Sequence, residues 1–376
     1  MKFRVGIEHE VAFINAKGQF VDWTNTRFDD LQAIVAELPL YPTDYPQLRV
    51  GDAGIKHKRW YVEGFERFDM QGKVIDCPPK GIEIRTSIHD SIEGVVAELS
   101  ESFETLKKVA ATAGFTPVCI SFNPNQTRFV PNPPLNPYEQ RRRAGSPEVQ
   151  TADLPMLTQG PDISLSSPGL SAAQIIDAGQ KLTYYSPYLV PFSFSSPFYN
   201  GGLWEGLSVR TFKRTGLRPA ALVFIDDPRR MIASTPSLTQ KARLPAEAGR
   251  MEFKAFDSCA DFQHYARLAT LLKGLIQDNT LTGRAVVPDA RLHQRSARHG
   301  FDDPRIYALA HQILKAALQA LSDPAELAHL ADLGHMLECR QTPAHAMIKA
   351  FQQSDSIEAS LLRLNALPKH CVTHYF

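Results

Sequence analysis

The 376-residue chain has few cysteines, almost no net charge, no long apolar run and none of the common phosphate-binding loops. Each absence removes a class of protein. Without a stretch of about 18 apolar residues there is no helical membrane span. Cys77, Cys119, Cys259, Cys339 and Cys371 form no CxxC pair and are odd in number, which argues against a disulfide framework and suits a reducing cytosol. A net charge of +1 provides no overall field for nucleic acid or an anionic membrane. The one strong charge run, Arg141-Arg142-Arg143, reads as a solvated loop or helix face. There is no GxxxxGK[ST], no GxGxxG after a strand and no HExxH, so a P-loop, a dinucleotide fold and a zincin are excluded. No apolar signal-peptide core precedes the first strand, and the expectation is a cytoplasmic protein.

What is present is a chain that alternates strands and helices before becoming mostly helical. Residues 3–14 read as a strand, 28–38 as a helix, and 58–68, 73–76 and 81–87 as strands. A helix is expected over 92–113, capped by Asp90, then a strand over 115–122. Residues 123–170 are rich in proline, asparagine and serine and read as a long, ordered active-site loop region. A helix over 172–185 precedes strands at 207–212 and 250–256. Helices are expected at 262–277, 304–321, 325–337, 343–353 and 356–365. This order predicts an α+β or mixed-sheet fold. Residues 1–376 are expected to form one domain, with 1–260 bearing the sheet and 261–376 a helical part packed on it.

The chemistry sits inside the strands. Glu8 and Glu10 stand two residues apart in Phe3-Arg-Val-Gly-Ile-Glu-His-Glu-Val-Ala-Phe-Ile14, so both point to one face. Stripping two such carboxylates of water without a partner would cost several kcal/mol. A hard divalent cation, Mg²⁺ or Mn²⁺, offsets that cost; a solvated acidic edge strand is the plain alternative. The pattern repeats. Gly81-Ile-Glu-Ile-Arg-Thr86 puts Glu83 and Arg85 on one face, and Arg250-Met-Glu-Phe-Lys-Ala-Phe-Asp257 puts Glu252 with Lys254. Leu207-Ser-Val-Arg-Thr-Phe212, read as a strand, aligns Ser208, Arg210 and Phe212. Carboxylates and arginines on adjacent strands suggest a site where metal ions meet phosphates. His9 points to the opposite face and reads as a packed, hydrogen-bonded histidine. Glu63 and Glu66 read as surface residues, with contact to an amino group the alternative. The tail His370-Cys-Val-Thr-His374 holds too few donors for a defined tetrahedral site.

These segments resemble the glutamate–cysteine ligase family, within the glutamine synthetase-like carboxylate–amine ligases. Gly6-Ile-Glu-His-Glu10 looks like its opening motif, and Gly81–Thr86 like its second glutamate strand, followed by a long helix. Ala178-Gly-Gln-Lys-Leu182 through Phe194-Ser-Ser-Pro-Phe198 is similar to its helix ending in an NSPF-type turn. Leu207–Phe212 falls where the family has an arginine strand, and Arg250–Asp257 resembles E-x-R-x-x-D, with Lys254 in the arginine position. A strand between the central loop and the NSPF helix is assigned to 156–164. The resemblance spans residues 3–260.

It implies a glutamine synthetase-like fold, with a curved, largely antiparallel sheet flanked by helices. It also implies an ATP- and Mg²⁺-dependent ligase that joins glutamate to cysteine, or another amine, through an acyl phosphate. By this resemblance Glu8, Glu10, Glu83 and Glu252 would hold Mg²⁺, with Asp76 a further ligand. Arg210 and Lys254 would neutralise the transferring phosphoryl group or a carboxylate, and Arg85 either does the same or forms a structural ion pair. The competing expectations are a guanidino-kinase-like phosphotransferase and a ligand-binding, non-catalytic member of the fold. The partners are small molecules, with neither nucleic acid nor membrane involved.

Overall fold

The computed structural model describes residues 2–44 and 59–366. The His370–His374 tail, Cys371 and the start of the expected 58–68 strand lie outside them. Strands run in chain order as β1 Arg4–Asn15, β2 Trp60–Gly64, β3 Arg67–Phe68, β4 Val74–Asp76, β5 Pro79–Arg85 and β6 Phe115–Val118. They continue with β7 Pro161–Ser166, β8 Phe198–Tyr199, β9 Gly202–Leu203, β10 Ala221–Ile225, β11 Thr239–Lys241 and β12 Met251–Phe253. The main sheet has the order β11-β10-β12-β7-β1-β5-β2, with β6 also paired to β1. Neighbours in it are antiparallel except β10 and β11.

Helices are α1 Phe28–Glu37, α2 Ile92–Thr112, α3 Pro137–Arg143, α4 Pro147–Gln150, α5 Ala172–Leu189 and α6 Val209–Arg214. The C-terminal part adds α7 Gln263–Gln277, α8 Ala290–His299, α9 Pro304–Ala320, α10 Pro324–Cys339, α11 Pro343–Gln352 and α12 Ile357–Ala366. The mixed fold and the expected helices are present. None of the described helices is long and apolar enough to cross a membrane.

Strand β1 explains the division of labour between the two sheet faces. Val5, Ile7, His9 and Val11 are buried, while Gly6, Glu8 and Glu10 between them are only partly covered. The apolar side joins one cluster with Val95, Leu99 and Phe103 of α2, Leu268 and Leu272 of α7, and Ile306 and Leu330 beyond. His9 is part of this face: burial pushes its pKa down to about 3, and its Nδ1 lies 3.1 Å from the Tyr265 hydroxyl. It packs neutral, as its parity implies.

Three expectations are corrected. The segment 207–212 is not a strand: the Ser208 hydroxyl accepts from the Thr211 N–H and caps α6, so local capping overrides the β-branched pattern of Val209 and Thr211. The cap of α2 is Ser91, whose hydroxyl accepts from Gly94; Asp90 instead meets Lys2 at the surface. The strand assigned to 156–164 begins at Pro161 and runs to Ser166. Strands β10 and β11 and helix α8 were not expected at all.

Register is set partly by close backbone approach at Gly81, where a Cβ would stand 2.2 Å from the Val11 carbonyl oxygen. Gly81→Ala should therefore destabilise the fold by about 1–3 kcal/mol in urea unfolding. Gly169→Ala, which meets nothing within 4 Å, should stay within about 0.5 kcal/mol of the parent. Equal midpoints would show that the β1–β5 contact tolerates separation.

Candidate active site

The concave face gathers charged side chains from five adjacent strands. Register places Glu8 opposite Arg85 and Glu10 opposite Glu83 across β1 and β5. Tyr61 of β2 pairs with Glu83, Asp162 of β7 pairs with Glu8, and Ser164 joins Glu252 of β12. Directly paired residues share a face, so these side chains converge.

They separate into two groups with different charge balance. In the first, Glu10, Glu63 and Glu83 each offer a carboxylate oxygen, all within 4.8 Å of one another. The cation here is Lys80, fully buried, whose ammonium donates to Glu10 Oε1 at 2.6 Å and the Thr158 carbonyl at 2.8 Å, with Glu63 at 3.9 Å. The Gly160 N–H donates to the other oxygen of Glu10 at 2.9 Å. Glu83 Oε1 is buried without a hydrogen-bond partner among the described residues. Burial, then Glu8 and Glu63, push the Glu83 carboxyl well above its ordinary range. Burial also pushes Glu63 up to about 7, with Lys80 working against it and Glu10 with it. Lys80, with Arg85 acting on Glu83 along β5, sets two positive charges against three carboxylates, and this donor set fits a hard divalent cation.

In the second group the charges are matched. Lys254 contacts Asp162 and donates to Glu252 at 2.6 Å, and Arg250 lies 3.0 Å from Glu252 and 3.9 Å from Glu8. Burial alone would lower the Lys254 pKa, but Asp162 and Glu252 hold it above the usual lysine range. Burial likewise opposes the ionised form of Glu252, yet Lys254 and Arg250 keep it below the usual carboxylate value. Glu8 goes the other way: burial and Glu252 raise it.

Beyond the sheet, the face opens into a cleft with two lobes of about 320 and 440 Å³. They meet at Tyr61, Arg85, Glu148, Arg218, Gln240 and Arg243, with Arg85 stacked 4.6 Å from the Tyr61 ring. The opposing wall, including Glu148 and Val149, comes from the 123–170 region, which is ordered there and carries α3, α4 and β7. Arg141, Arg142 and Arg143 fall in the last turn of α3.

Two expected site residues stand elsewhere. Asp76 is exposed on the separate β3–β4 ribbon, where its carboxylate accepts from the Cys77 N–H at 2.8 Å, so it does not join the cluster. Arg210 is buried on α6, and its guanidinium donates to the Ala255 and Lys254 carbonyls at 3.0 and 2.9 Å. It braces the chain just after β12 and does not point at a carboxylate of the cleft. Glu63, expected at the surface, belongs to the cluster. Asp162, Lys80 and Arg250 were not singled out. Asp162 and Arg250 obey the same strand alternation as their neighbours. Lys80 does not, because pairing between β2 and β5 slips at Glu63/Gly64.

This sheet and its carboxylate-lined face define a glutamine synthetase-like carboxylate–amine ligase fold. Residues 4–217 match glutamate–cysteine ligase family 2 (GCS2), more than half of the chain. The protein belongs to that family, whose members are ATP-dependent ligases forming C–N bonds. A bifunctional glutathione synthetase from Pasteurella multocida is similar in structure, with TM-score 0.61 and 12% identity over 99% of this chain; the match spans 53% of that longer protein. A glutamate–cysteine ligase from Francisella tularensis, solved in complex with AMP, has TM-score 0.57 and 11% identity over 100% of this chain and 91% of its own. The ligase PafA, in its complex with the ubiquitin-like protein Pup, has TM-score 0.51 and 11% identity over 99% of this chain and 72% of its own. At such identities the likeness establishes the fold alone. No curated protein matches the sequence.

A carboxyl whose pKa rises on folding favours the fold only while it holds its proton, so stability falls as pH climbs through the window between the two values. For Glu63 that window runs from 4.5 to about 7. In EDTA, Glu63→Gln should be more stable than the parent by about 1–3 kcal/mol at pH 8, with the advantage gone at pH 4. A constant difference across this range would mean that Glu63 is not electrostatically strained.

Proposed function

We propose that the protein is an ATP- and Mg²⁺-dependent ligase that activates the γ-carboxylate of glutamate as an acyl phosphate and transfers it to an amine, with cysteine the leading acceptor. The observation that carries this reading is the under-neutralised trio Glu10, Glu63 and Glu83 beside the charge-matched group around Lys254. One side of the face suits cations, and the adjacent side presents Lys254 and Arg250 within charge-matched pairs that an anionic substrate would share. Phosphoryl transfer from ATP to a carboxylate needs that juxtaposition, because catalysis consists chiefly of positioning and charge neutralisation.

Glu10, Glu63 and Glu83 would hold the divalent cation, with Glu8 and Glu252 on neighbouring strands completing the negative rim. A cation held there supplies neutralisation and alignment of the ATP phosphates. Lys254, kept protonated by Asp162 and Glu252, would present its charge to the transferring phosphoryl group or the substrate carboxylate as a point contact. Arg250 and Arg85 flank the same floor. Arg210 would act through the backbone it braces, as a positioning residue. The attacking amine must lose a proton before it displaces phosphate, and the two-lobed cleft has room for nucleotide and amino-acid substrates together.

The test is purified protein with Mg-ATP, glutamate and a panel of amines, read by phosphate release and product mass. Glutamate with cysteine should give one phosphate per amide formed. Glutamate with a different amine would keep the class and change the acceptor, while a stable phosphorylated product would replace the ligase with a kinase. Glu8→Gln, Glu10→Gln, Glu83→Gln and Glu252→Gln should each lower kcat for ATP turnover at least about 100-fold with the fold retained by circular dichroism. Full activity in two or more would overturn the proposed cation and phosphate site.

A further inference from the structure

A second cavity, of about 350 Å³, lies on the other face of the main sheet, the side to which His9 points. Among the described residues, none lines both this cavity and the cleft. Its floor is the segment 258–261 with Cys119, and its walls come from α7, α10, α11 and α12. The walls are largely apolar, and Met336, Met347 and Leu361 are almost fully buried around it. A volume in this range is that of a small-molecule pocket rather than a packing defect.

Charge on the lining is already matched. Asp261 accepts from the Gln263 N–H at 3.0 Å and from Arg267 at 3.1 Å, and Arg267 donates also to Asp332 at 2.8 Å. An anion would meet Asp261, and a cation would find no carboxylate awaiting it. His335 on the rim contacts Cys339, and Asn365 donates to the Pro117 carbonyl; the buried polar side chain left over is His264, 5% exposed. Its Nε2 lies 2.6 Å from the Phe192 carbonyl oxygen, which can only accept, so Nε2 carries the proton. Nδ1 is then a lone-pair acceptor, and it has no hydrogen-bond partner among the described residues. Burial, with Arg267 adding to it, lowers the His264 pKa to about 4, so the ring is neutral at physiological pH.

We infer that this cavity is a binding site for a neutral small molecule with an apolar body and a single N–H or O–H donor, which seats its donor on His264 Nδ1. Met336 and Met347 provide adaptable walls, since methionine accommodates irregular apolar shapes. The floor follows directly from β12 and the chain braced by Arg210, so an occupant sits a few residues from Lys254 without touching the cleft.

The test uses the full chain with ¹³C-methyl methionine, titrated with indole and with N-methylindole, which has nearly the same shape and no donor. Indole should give saturable shifts of the Met336 and Met347 methyls and bind at least about fivefold more tightly than N-methylindole. His264→Phe should erase that preference, and Ala346→Phe, which fills the cavity, should abolish the shifts. Glu83→Gln should bind indole like the parent, so failure of the ligase reading and failure of this site are separable. Absence of saturable shifts at those two methionines, or equal affinity for the two probes in the parent, would overturn the inference. So would binding seen only after removal of residues 367–376, which would assign the cavity to the chain's own end.

Discussion

Everything about the concave face follows from crowding carboxylates on one side of a sheet. Glu10, Glu63 and Glu83 bring oxygens within 4.8 Å of one another, and Lys80 and Arg85 offset only part of their charge. Like charges at that separation, partly removed from water, repel by amounts that a marginally stable fold cannot absorb from packing alone. Two responses are visible. Glu63 and Glu83 have pKa values pushed up toward the protonated form, and neighbouring Glu252 and Asp162 have recruited Lys254. The first group remains under-compensated, and that residual field is the physical basis for placing a cation there.

The opposite face makes the arrangement tolerable. Val5, Ile7, His9 and Val11 alternate with the glutamates and lock β1 against α2 and α7, so the strand cannot slip by one residue without burying its carboxylates. Backbone approach at Gly81 ties β5 to β1 next to Glu83, and Arg210 anchors the chain after β12 through two carbonyls. Rigidity on the apolar side holds charged groups on the other side where their repulsion would otherwise spread them. The same apolar side encloses the second cavity, where the buried, neutral His264 keeps Nδ1 without a partner among the described residues.

Much of this was legible in the sequence because strand alternation is strict. Glu8, Glu10, Glu83, Glu252 and Lys254 share a face as their parity requires, and His9 lies on the other. Alternation failed where geometry was not strand-like or not regular. Val209 and Thr211 imitate a strand, yet the Ser208 cap starts a helix and turns Arg210 away from the cleft. The slip between β2 and β5 brings Lys80 to Glu10 despite its parity, whereas Glu63 pairs with Gly81 ahead of the slip and keeps the parity of Tyr61. Asp76 is near Glu83 in sequence but sits on a separate ribbon. Strand β10, Ala-Leu-Val-Phe-Ile, is buried on both faces and shows no alternation to read. Helix α8, rich in arginine and histidine, offers few apolar residues to mark a period.

The proposed divalent-cation site rests on carboxylate charge at Glu10, Glu63 and Glu83 that exceeds the positive charge beside it. Anomalous diffraction from crystals grown with Mn²⁺ and a non-hydrolysable ATP analogue tests it most directly. The expected result is a strong anomalous peak bonded to oxygens of that trio, in contact with the analogue's phosphates. Analogue bound in the cleft without such a peak, with Lys80 and Lys254 alone facing the phosphates, would contradict it.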